Sequence, residues 1–371
     1  MIIGIPKEIK PNEFRVAATP GAVSEFVRTG NAVYVQAGAG VGSGYSDEEY
    51  QSAGATILET AKEVYDKSEM IYKVKEILPD EYQYMREGQI IFTYLHSNAH
   101  PEMNEVLLNN KIIGIAYEDV INDKKEFPLL APMSELAGKG GLLAALYFSQ
   151  SVHGGNGTLL ANVCGAETPQ ITIIGCGCSG VGAAELAAAF GNKVTILDIN
   201  YEAMANARKH LPSNVEFLFS NRENLVKCLK ASDVIINCIL WPKTRKDHLI
   251  NREDLKMMKK GALIVDVACD DEGAVETCRS TTHNDPVYYE EGILHYCVDN
   301  IPSAFSRTAS IKLCNATLPY AMEIAKKGVE GALRDNKGLR RGLSFWYGEL
   351  TLQETADKYG IKFTSPDEIF G

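Results

Sequence analysis

The chain has 371 residues, 45% of them hydrophobic, with 32 glycines and 14 prolines, which suits a soluble globular protein of two domains. Its formal net charge of -11, with no basic block, argues against nucleic acid or an anionic membrane as the main partner. Nine cysteines, an odd count without the spacing of a small secreted domain, read as reduced thiols.

The opening "MIIGIPKEIK" has no basic stretch followed by a secretory apolar run, which predicts no signal peptide. No apolar segment is long enough to cross a bilayer. The first third alternates candidate strands with candidate helices. "MIIGIP", "AVYVQAG", "EMIYKVK", "QIIFTYLH" and "KIIGIAYE" read as strands, and "PGAVSEFVRTG" and "DEEYQSAGATILETAKEVY" as helices. That alternation predicts a parallel sheet with crossover helices. "APMSELAGKGGLLAALYFSQ" then predicts a helix linking two halves, starting near Ser134. The Gly138–Gly141 cluster is awkward inside a helix, because glycine weakens helix interiors.

The middle third repeats the theme with "ITIIG", "KVTILDI", "VEFLFS", "DVIINCIL", "ALIVDVA" and "ILHYCV" as strands. From about residue 307 the chain reads as helical, with "LPYAMEIAKKGVEGAL" and "TLQETADKYG", and is expected to return to the first domain. The expected architecture is α/β: two doubly wound Rossmann-like domains with a cleft between them. Residues 1–130 plus 307–371 form a discontinuous substrate domain, and residues 131–306 a nucleotide-binding domain.

The strongest motif is Gly175-x-Gly177-x-x-Gly180. It leaves the apolar strand "QITII", opens the helix "VGAAELAAAFG", and is followed by a second strand ending in Asp198. That is the full dinucleotide-binding βαβ context. Gly175 allows a tight turn, Gly177 lets backbone N–H groups approach a pyrophosphate, and Gly180 lets helix and strand pack closely. The helix N-terminus adds positive partial charge. Asp198 would accept hydrogen bonds from the adenosine ribose and repel a 2′-phosphate, which favours NAD over NADP. Cys176, Cys178 and Ser179 fill the variable loop positions, where small side chains fit. No second C-x-C or C-x-x-C supplies further metal ligands, so no metal is expected. Proximity to a helix N-terminus predicts lowered thiol pKa values at Cys176 and Cys178.

In open α/β sheets, ligands bind beyond the carboxyl ends of the strands. Arg15 follows the first strand, Lys75 closes "MIYKVK", His96 closes "IIFTYLH", and Asp270 follows "ALIVDVAC". Two cations, an imidazole and a carboxylate suit a small substrate bearing a carboxylate. Arg15 can grip it bidentately, Lys75 can add charge or polarise a carbonyl, and His96 and Asp270 can move protons. Taken singly, each could be an ordinary surface or structural residue; the four together are more persuasive.

These segments, with "GAGVGSGYSDEEY", "KVKEILPDEY", "PMSELAG", "DVACDDEGAVETCRSTTHNDPVY", "HYCVDNIPS" and "NATLPY", resemble the L-alanine dehydrogenase family over nearly the whole chain. Single motifs are shared with the related domain of proton-pumping transhydrogenase and with opine-forming synthases. The resemblance implies NAD-dependent oxidation of L-alanine to pyruvate and ammonia, and the reverse reductive amination. It implies substrate binding by Arg15 and Lys75 and acid/base roles for His96 and Asp270. Cofactor contacts are implied at Ser134, Ser220, Arg279, Ile239–Leu240, Val267–Asp270 and Val298–Ile301, Asn300 among them. It also implies a cytoplasmic homohexamer. Departures include Ala203 after the ribose aspartate, the fillers of "GCGCSG", and "WPKTRKDHL" with bulky Trp241, a feature that could reshape the substrate pocket. A dehydrogenase acting on another amino acid, an opine-forming enzyme and a non-catalytic NAD-binding partner protein are the alternative readings.

Overall fold

The computed structural model describes residues 1–242, 245–269 and 273–371. The chain divides into two compact units, Met1–Met133 with Ser303–Gly371, and Ser134–Pro302.

In the first unit, β1 (Ile2–Ile5), β2 (Ala32–Gln36), β3 (Thr56–Leu58), β4 (Met70–Tyr72), β5 (Ile90–Thr93) and β6 (Ile113–Ala116) alternate with α1 (Pro20–Arg28), α2 (Asp47–Ser52), α3 (Ala61–Lys67) and α4 (Pro101–Asn109). The stretch expected as one helix over residues 47–65 is instead α2, β3 and α3. Two features interrupt it. Gly54 takes φ +96°, which stops α2, and Thr60 caps α3 through its own hydroxyl and the side chain of Glu63. The strands are also shorter than their apolar runs: β4 ends at Tyr72 and β5 at Thr93, so Lys75 and His96 both lie three residues beyond a strand's carboxyl end.

The second unit begins in α5 (Ala131–Phe148) and contains β7 (Gln170–Ile174), α6 (Cys178–Ala189), β8 (Lys193–Asp198), α7 (Tyr201–Ala207), β9 (Val215–Phe219), α8 (Arg222–Ala231), β10 (Val234–Asn237), β11 (Leu263–Asp266), β12 (Val287–Glu290) and β13 (Ile293–Tyr296). Its sheet runs β12-β13-β11-β10-β7-β8-β9. It is parallel except for the edge strand β12, which pairs antiparallel with β13. Between β7 and β10 the order reverses direction relative to β7–β8–β9, the topological switch at which nucleotides bind in such sheets.

The chain then rejoins the first unit as α9 (Ser306–Asp335), α10 (Lys337–Arg341), β14 (Leu343–Trp346), β15 (Glu349–Leu350), α11 (Gln353–Tyr359) and α12 (Pro366–Phe370). The first sheet runs β15-β14-β6-β5-β4-β1-β2-β3. The expected helical return is present, but β14 and β15 add an antiparallel hairpin at the sheet edge. Each sheet carries its own core. In the first, Ile71, Ile91, Leu95 and Phe345 are fully buried. In the second, Ile235, Ile264 and Leu229 play that part.

The glycines of α5 have a packing reason. A Cβ on Gly138 would lie 1.8 Å from the carbonyl oxygen of Ser179 in the first turn of α6, and one on Gly182 would lie 2.8 Å from that of Glu135. The two helices thus touch backbone to backbone, and Lys139, paired with Glu135 within α5 at 3.1 Å, reaches Glu185 of α6 at 2.9 Å across the same seam. The helix begins at Ala131, so Ser134 is its fourth residue and not its cap. Among the described residues no helix is long and apolar enough to span a membrane.

Gly138→Ala is expected to force α5 away from the loop-bearing end of α6 and destabilise the protein by about 1–3 kcal/mol. Gly21→Ala in α1, where a Cβ would meet nothing closer than 3.8 Å, serves as control and is expected to leave stability unchanged or slightly raised. Thermal melts of both variants check this, and equal melting temperatures would contradict the backbone contact.

Candidate active site

In the first unit, Arg15 sits on the long segment between β1 and α1 with only 3% of its surface exposed. Glu13 holds it two-handed: Nε donates to Oε1 at 2.6 Å and Nη2 to Oε2 at 2.5 Å, while Nη1 approaches the Met133 sulfur at 3.4 Å. Burial works against the guanidinium charge, and Glu13 more than restores it, so its pKa rises. The cation is therefore permanent and aimed.

Lys75 follows β4. Its Nζ lies 3.3 Å from Glu76, whose other oxygen takes Lys10 at 2.8 Å. Burial lowers the Lys75 pKa and the nearby cations Lys10 and Arg15 lower it further, with Glu76 opposing. Glu76 itself is buried, which favours its neutral form, yet Lys75 and Lys10 pull its carboxyl far below the usual range. The backbone at Lys75 is fixed by Glu8, which accepts from Val74 N–H at 2.6 Å and Lys75 N–H at 3.3 Å. Beneath lies Lys73, fully buried, paired with both oxygens of Glu81 at 2.9 and 3.0 Å and 3.5 Å from Glu8. Burial raises the Glu8 carboxyl to about 7 despite Lys73.

His96 leaves β5 in the left-handed region, φ 48° and ψ 39°, which costs a non-glycine residue about 1–2 kcal/mol. Glu118, at the exit of β6, accepts from Leu95 N–H at 3.1 Å and His96 N–H at 2.5 Å. The Tyr94 ring stacks on the imidazole at 5.8 Å, and its hydroxyl donates to the Leu129 carbonyl at 2.6 Å. Desolvation at the exit, then the charge of Lys75, hold the imidazole below its ordinary pKa against the opposing Glu76, so it is neutral near pH 7. Arg15, Lys75 and His96 are thus gathered in one charged cluster of the first unit: Lys75 feels Arg15, and His96 feels Lys75.

In the second unit the glycine loop has the form the motif requires. Gly175 takes φ +104°, Gly177 precedes the first turn of α6 with open space where a Cβ would stand, and a Cβ on Gly180 would meet the Gly175 carbonyl oxygen at 1.9 Å. Asp198 ends β8, accepting from Cys176 N–H at 2.5 Å and Asn200 N–H at 2.7 Å, so it ties the loop to the neighbouring strand. A cavity of about 650 Å³ adjoins it, lined by Ile174, Asp198, Ser220, Ile239, Leu240 and Trp241. An open glycine turn at a helix N-terminus, beside a cavity holding an acid at the next strand's end, fits a dinucleotide.

Cys178 and Ser179 occupy the first turn of α6. Cys176 departs from expectation: its thiol is pushed up to about 11 by burial and by Asp198. Burial first, and the carboxylate second, disfavour the thiolate, so this sulfur is not activated. Trp241 likewise lies with Asp198, its indole N–H donating to the Asp247 carbonyl at 2.7 Å and its ring covered by Arg245 at 4.2 Å, so it shapes this cavity. Val267 donates to the Asn237 carbonyl, the Val298 carbonyl accepts from the Cys269 thiol, the Asn300 carbonyl faces His283 at 2.9 Å, and Ile301 is buried. Arg279 is exposed, stacked on Tyr288 at 4.1 Å. Asp270 lies outside the described residues. Among those described, no three His, Cys, Asp or Glu side chains gather to hold a metal.

The partners Glu8, Glu13 and Glu118 were missed in the sequence. Glu118 carried a readable signal, since it closes "KIIGIAYE" by the same strand-end rule that singles out His96.

Two family models cover nearly the whole chain: the alanine dehydrogenase/PNT N-terminal domain over residues 4–137 and the alanine dehydrogenase/PNT C-terminal domain over residues 141–353. A curated alanine dehydrogenase of Methanococcus maripaludis is 44% identical, covering 99% of both chains, and that of Bacillus subtilis is 43% identical, covering 99% of this chain and 97% of its own. A solved L-alanine dehydrogenase is 38% identical with a TM-score of 0.93, covering 97% of this chain and 99% of its own. A transhydrogenase from Sinorhizobium meliloti, 21% identical with a TM-score of 0.79 over 95% of this chain and 100% of its own, shares the fold. With its glycine loop, its buried cations and its full-length match, the chain belongs to the alanine dehydrogenase/PNT family.

Proposed function

We propose that this chain is an NAD-dependent alanine dehydrogenase, interconverting L-alanine with pyruvate and ammonia, with the first unit handling the amino acid and the second the cofactor. The observation that carries the reading is the gathering of a permanent guanidinium, a lysine of lowered pKa and a neutral imidazole on strand exits of one unit. Arg15 binds the substrate carboxylate, for which Glu13 presets its orientation. Lys75 polarises the 2-oxo oxygen of pyruvate.

Gly175–Gly180 and Asp198 would hold NAD, which when bound would supply the acceptor for the hydride leaving Cα of alanine. His96, neutral, takes the proton from water as it adds to the iminium carbon, and returns it as ammonia departs. Asp270 is the second candidate for that proton. Ser134, Ser220, Ile239, Leu240, Val267, Arg279, Val298, Asn300 and Ile301 are proposed to line the cofactor. Asp198 supports NAD over NADP, since a 2′-phosphate would meet a carboxylate. We also take the enzyme to be a cytoplasmic homo-oligomer, a hexamer by resemblance; Val152 and Leu159, 82% and 65% exposed, suit a subunit surface.

Steady-state kinetics separate the roles. Arg15→Ala is expected to raise KM for pyruvate at least about 100-fold, as loss of a charge-assisted bidentate contact implies, and His96→Ala to lower kcat about 100–10,000-fold with KM for NADH unchanged. Wild-type constants in either variant remove that residue from the site. Asp198→Ala is expected to weaken NAD binding about 10-fold and narrow the preference over NADP, read by cofactor titration. An unaltered NAD/NADP ratio would contradict the ribose role. For His96, an NMR titration is expected to give a midpoint below the ordinary 6.5. The imidazole itself therefore stays unprotonated as pH falls from 8 through 6.5; a midpoint above 6.5 would reverse its assignment.

A further inference from the structure

We propose that Glu118 is the positioning residue of His96, holding the imidazole at the left-handed exit of β5 with its proton on Nδ1 and its Nε2 lone pair presented as the base. The inference rests on the assignment of His96 as the base.

Three observations converge. First, the two carboxylate oxygens of Glu118 receive the backbone N–H groups of Leu95 and His96, at 3.1 and 3.3 Å from Leu95 and 2.5 Å from His96. These donors have left the β5 ladder, and a left-handed turn of a non-glycine residue persists only where its surroundings hold it. Second, Oε1 stands 3.7 Å from Nδ1 of the same histidine. That is too long for a hydrogen bond, so the carboxylate acts on the ring through its charge, favouring the tautomer that turns an N–H toward it. Third, Tyr94 packs parallel to the imidazole with an interplanar angle of 8°, so the ring keeps one plane while Glu118 settles which nitrogen carries the proton.

The groups acting on this pair are few. Asp119 neighbours Glu118 in its own turn, and Lys75, Glu76, Lys10 and His100 face His96. Burial, then Asp119, raises the Glu118 carboxyl to about 7, with the two backbone N–H groups opposing. Above that pH the carboxylate is charged and the ring is fixed. Below it the carboxyl is neutral, one acceptor oxygen becomes a hydroxyl, and the bias on the tautomer is lost.

The test compares Glu118→Gln, which keeps shape and one acceptor oxygen but never carries charge, with Glu118→Ala, His96→Ala and wild type. Glu118→Gln is expected to lower kcat for alanine oxidation about 10-fold and Glu118→Ala about 100-fold, with KM for alanine and NAD within about 2-fold of wild type. The wild-type kcat profile is expected to carry an inflection near 7 that is absent from Glu118→Gln. A wild-type kcat and an unchanged inflection in Glu118→Gln would overturn the proposal. If His96→Ala keeps full activity, the assignment of the base fails instead, so the two failures are distinct. A measurement on the unaltered protein guards against variants that do not fold. With labelled histidine, and the His96 signal assigned by its loss in His96→Ala, the imidazole at pH 8 is expected to carry its proton on Nδ1. A proton on Nε2 would overturn the proposal whatever the variants do.

Discussion

Lys75, His96 and the glycine loop each stand where a parallel strand has ended and its backbone N–H groups have lost their partners. Such donors must be satisfied, and here carboxylates do it repeatedly. Glu8 serves Val74 and Lys75 after β4, and Glu118 serves Leu95 and His96 after β5. Asp198 serves Cys176 after β7, and Asp266 serves Ala268 and Cys269 after β11. Such an acid reaches across from a neighbouring segment, as Glu8, Glu118 and Asp198 do, or caps its own strand, as Asp266 does. Either way it fixes the exit of a strand, and the side chain carried by that exit inherits the fixity. The arrangement makes the sheet's carboxyl edge a usable surface rather than a fraying one.

The same acids set the electrostatics. A chain of net charge -11 has no global attraction for a carboxylate. Yet Lys10, Arg15, Lys73 and Lys75 are concentrated in one region of the first unit, each compensated by a named glutamate. Ion pairs this deeply buried lose about as much in desolvation as they gain in attraction, so their contribution is placement more than stability. Glu8 and Glu118 illustrate the cost. Their folded-state pKa values are raised from 4.5 to about 7, so the native state binds their protons more tightly than the unfolded chain does. The stability from those protons is present below pH 4.5 and lost as pH rises through 7. The fold tolerates that loss near neutrality because the ionised forms are the ones that hold Lys75 and His96.

Sequence reading reached the architecture where the signal was periodic or punctuated. The glycine loop was legible because Gly175, Gly177 and Gly180 each answer a steric demand that no other residue meets, and strand and helix flank them in register. The rule that strand ends carry ligands singled out Arg15, Lys75 and His96; the structure has Lys75 and His96 just beyond β4 and β5, and Arg15 on the long segment after β1. What escaped depends partly on contacts distant in sequence and partly on single local residues that interrupt a pattern. The β14–β15 hairpin is recognised only by pairing with β6, some 230 residues earlier. The break of the 47–65 stretch turned on one glycine and one capping threonine inside a pattern that otherwise favours helix. Glu13 is an unremarkable acid in the sequence, two residues from the Arg15 it grips, and the strand-end signal of Glu118 does not disclose its partner, the exit of the neighbouring strand at His96. The lowered thiol pKa expected at Cys176 failed because the helix end is local, while the burial that raises it and the Asp198 carboxylate that adds to it come from the folded surroundings and the next strand.

Two strand exits share one anomaly. His96 after β5 and Cys269 after β11 both take positive φ, 48° and 53°, where glycine would be comfortable. In both, a carboxylate receives the N–H groups of the turn, Glu118 in the first unit and Asp266 in the second. Glycine would relieve the backbone strain at either place at no steric cost. At residue 96 it would also delete the imidazole. A residue held in a conformation its side chain disfavours, by an acid whose own charge is disfavoured there, is a local conflict that stability alone does not explain. It is explained if the left-handed turn is what points the ring away from the sheet and toward substrate. The strain in the backbone and the raised carboxyl pKa are then two sides of one requirement, that the imidazole proposed as the base stand clear of the strand that carries it.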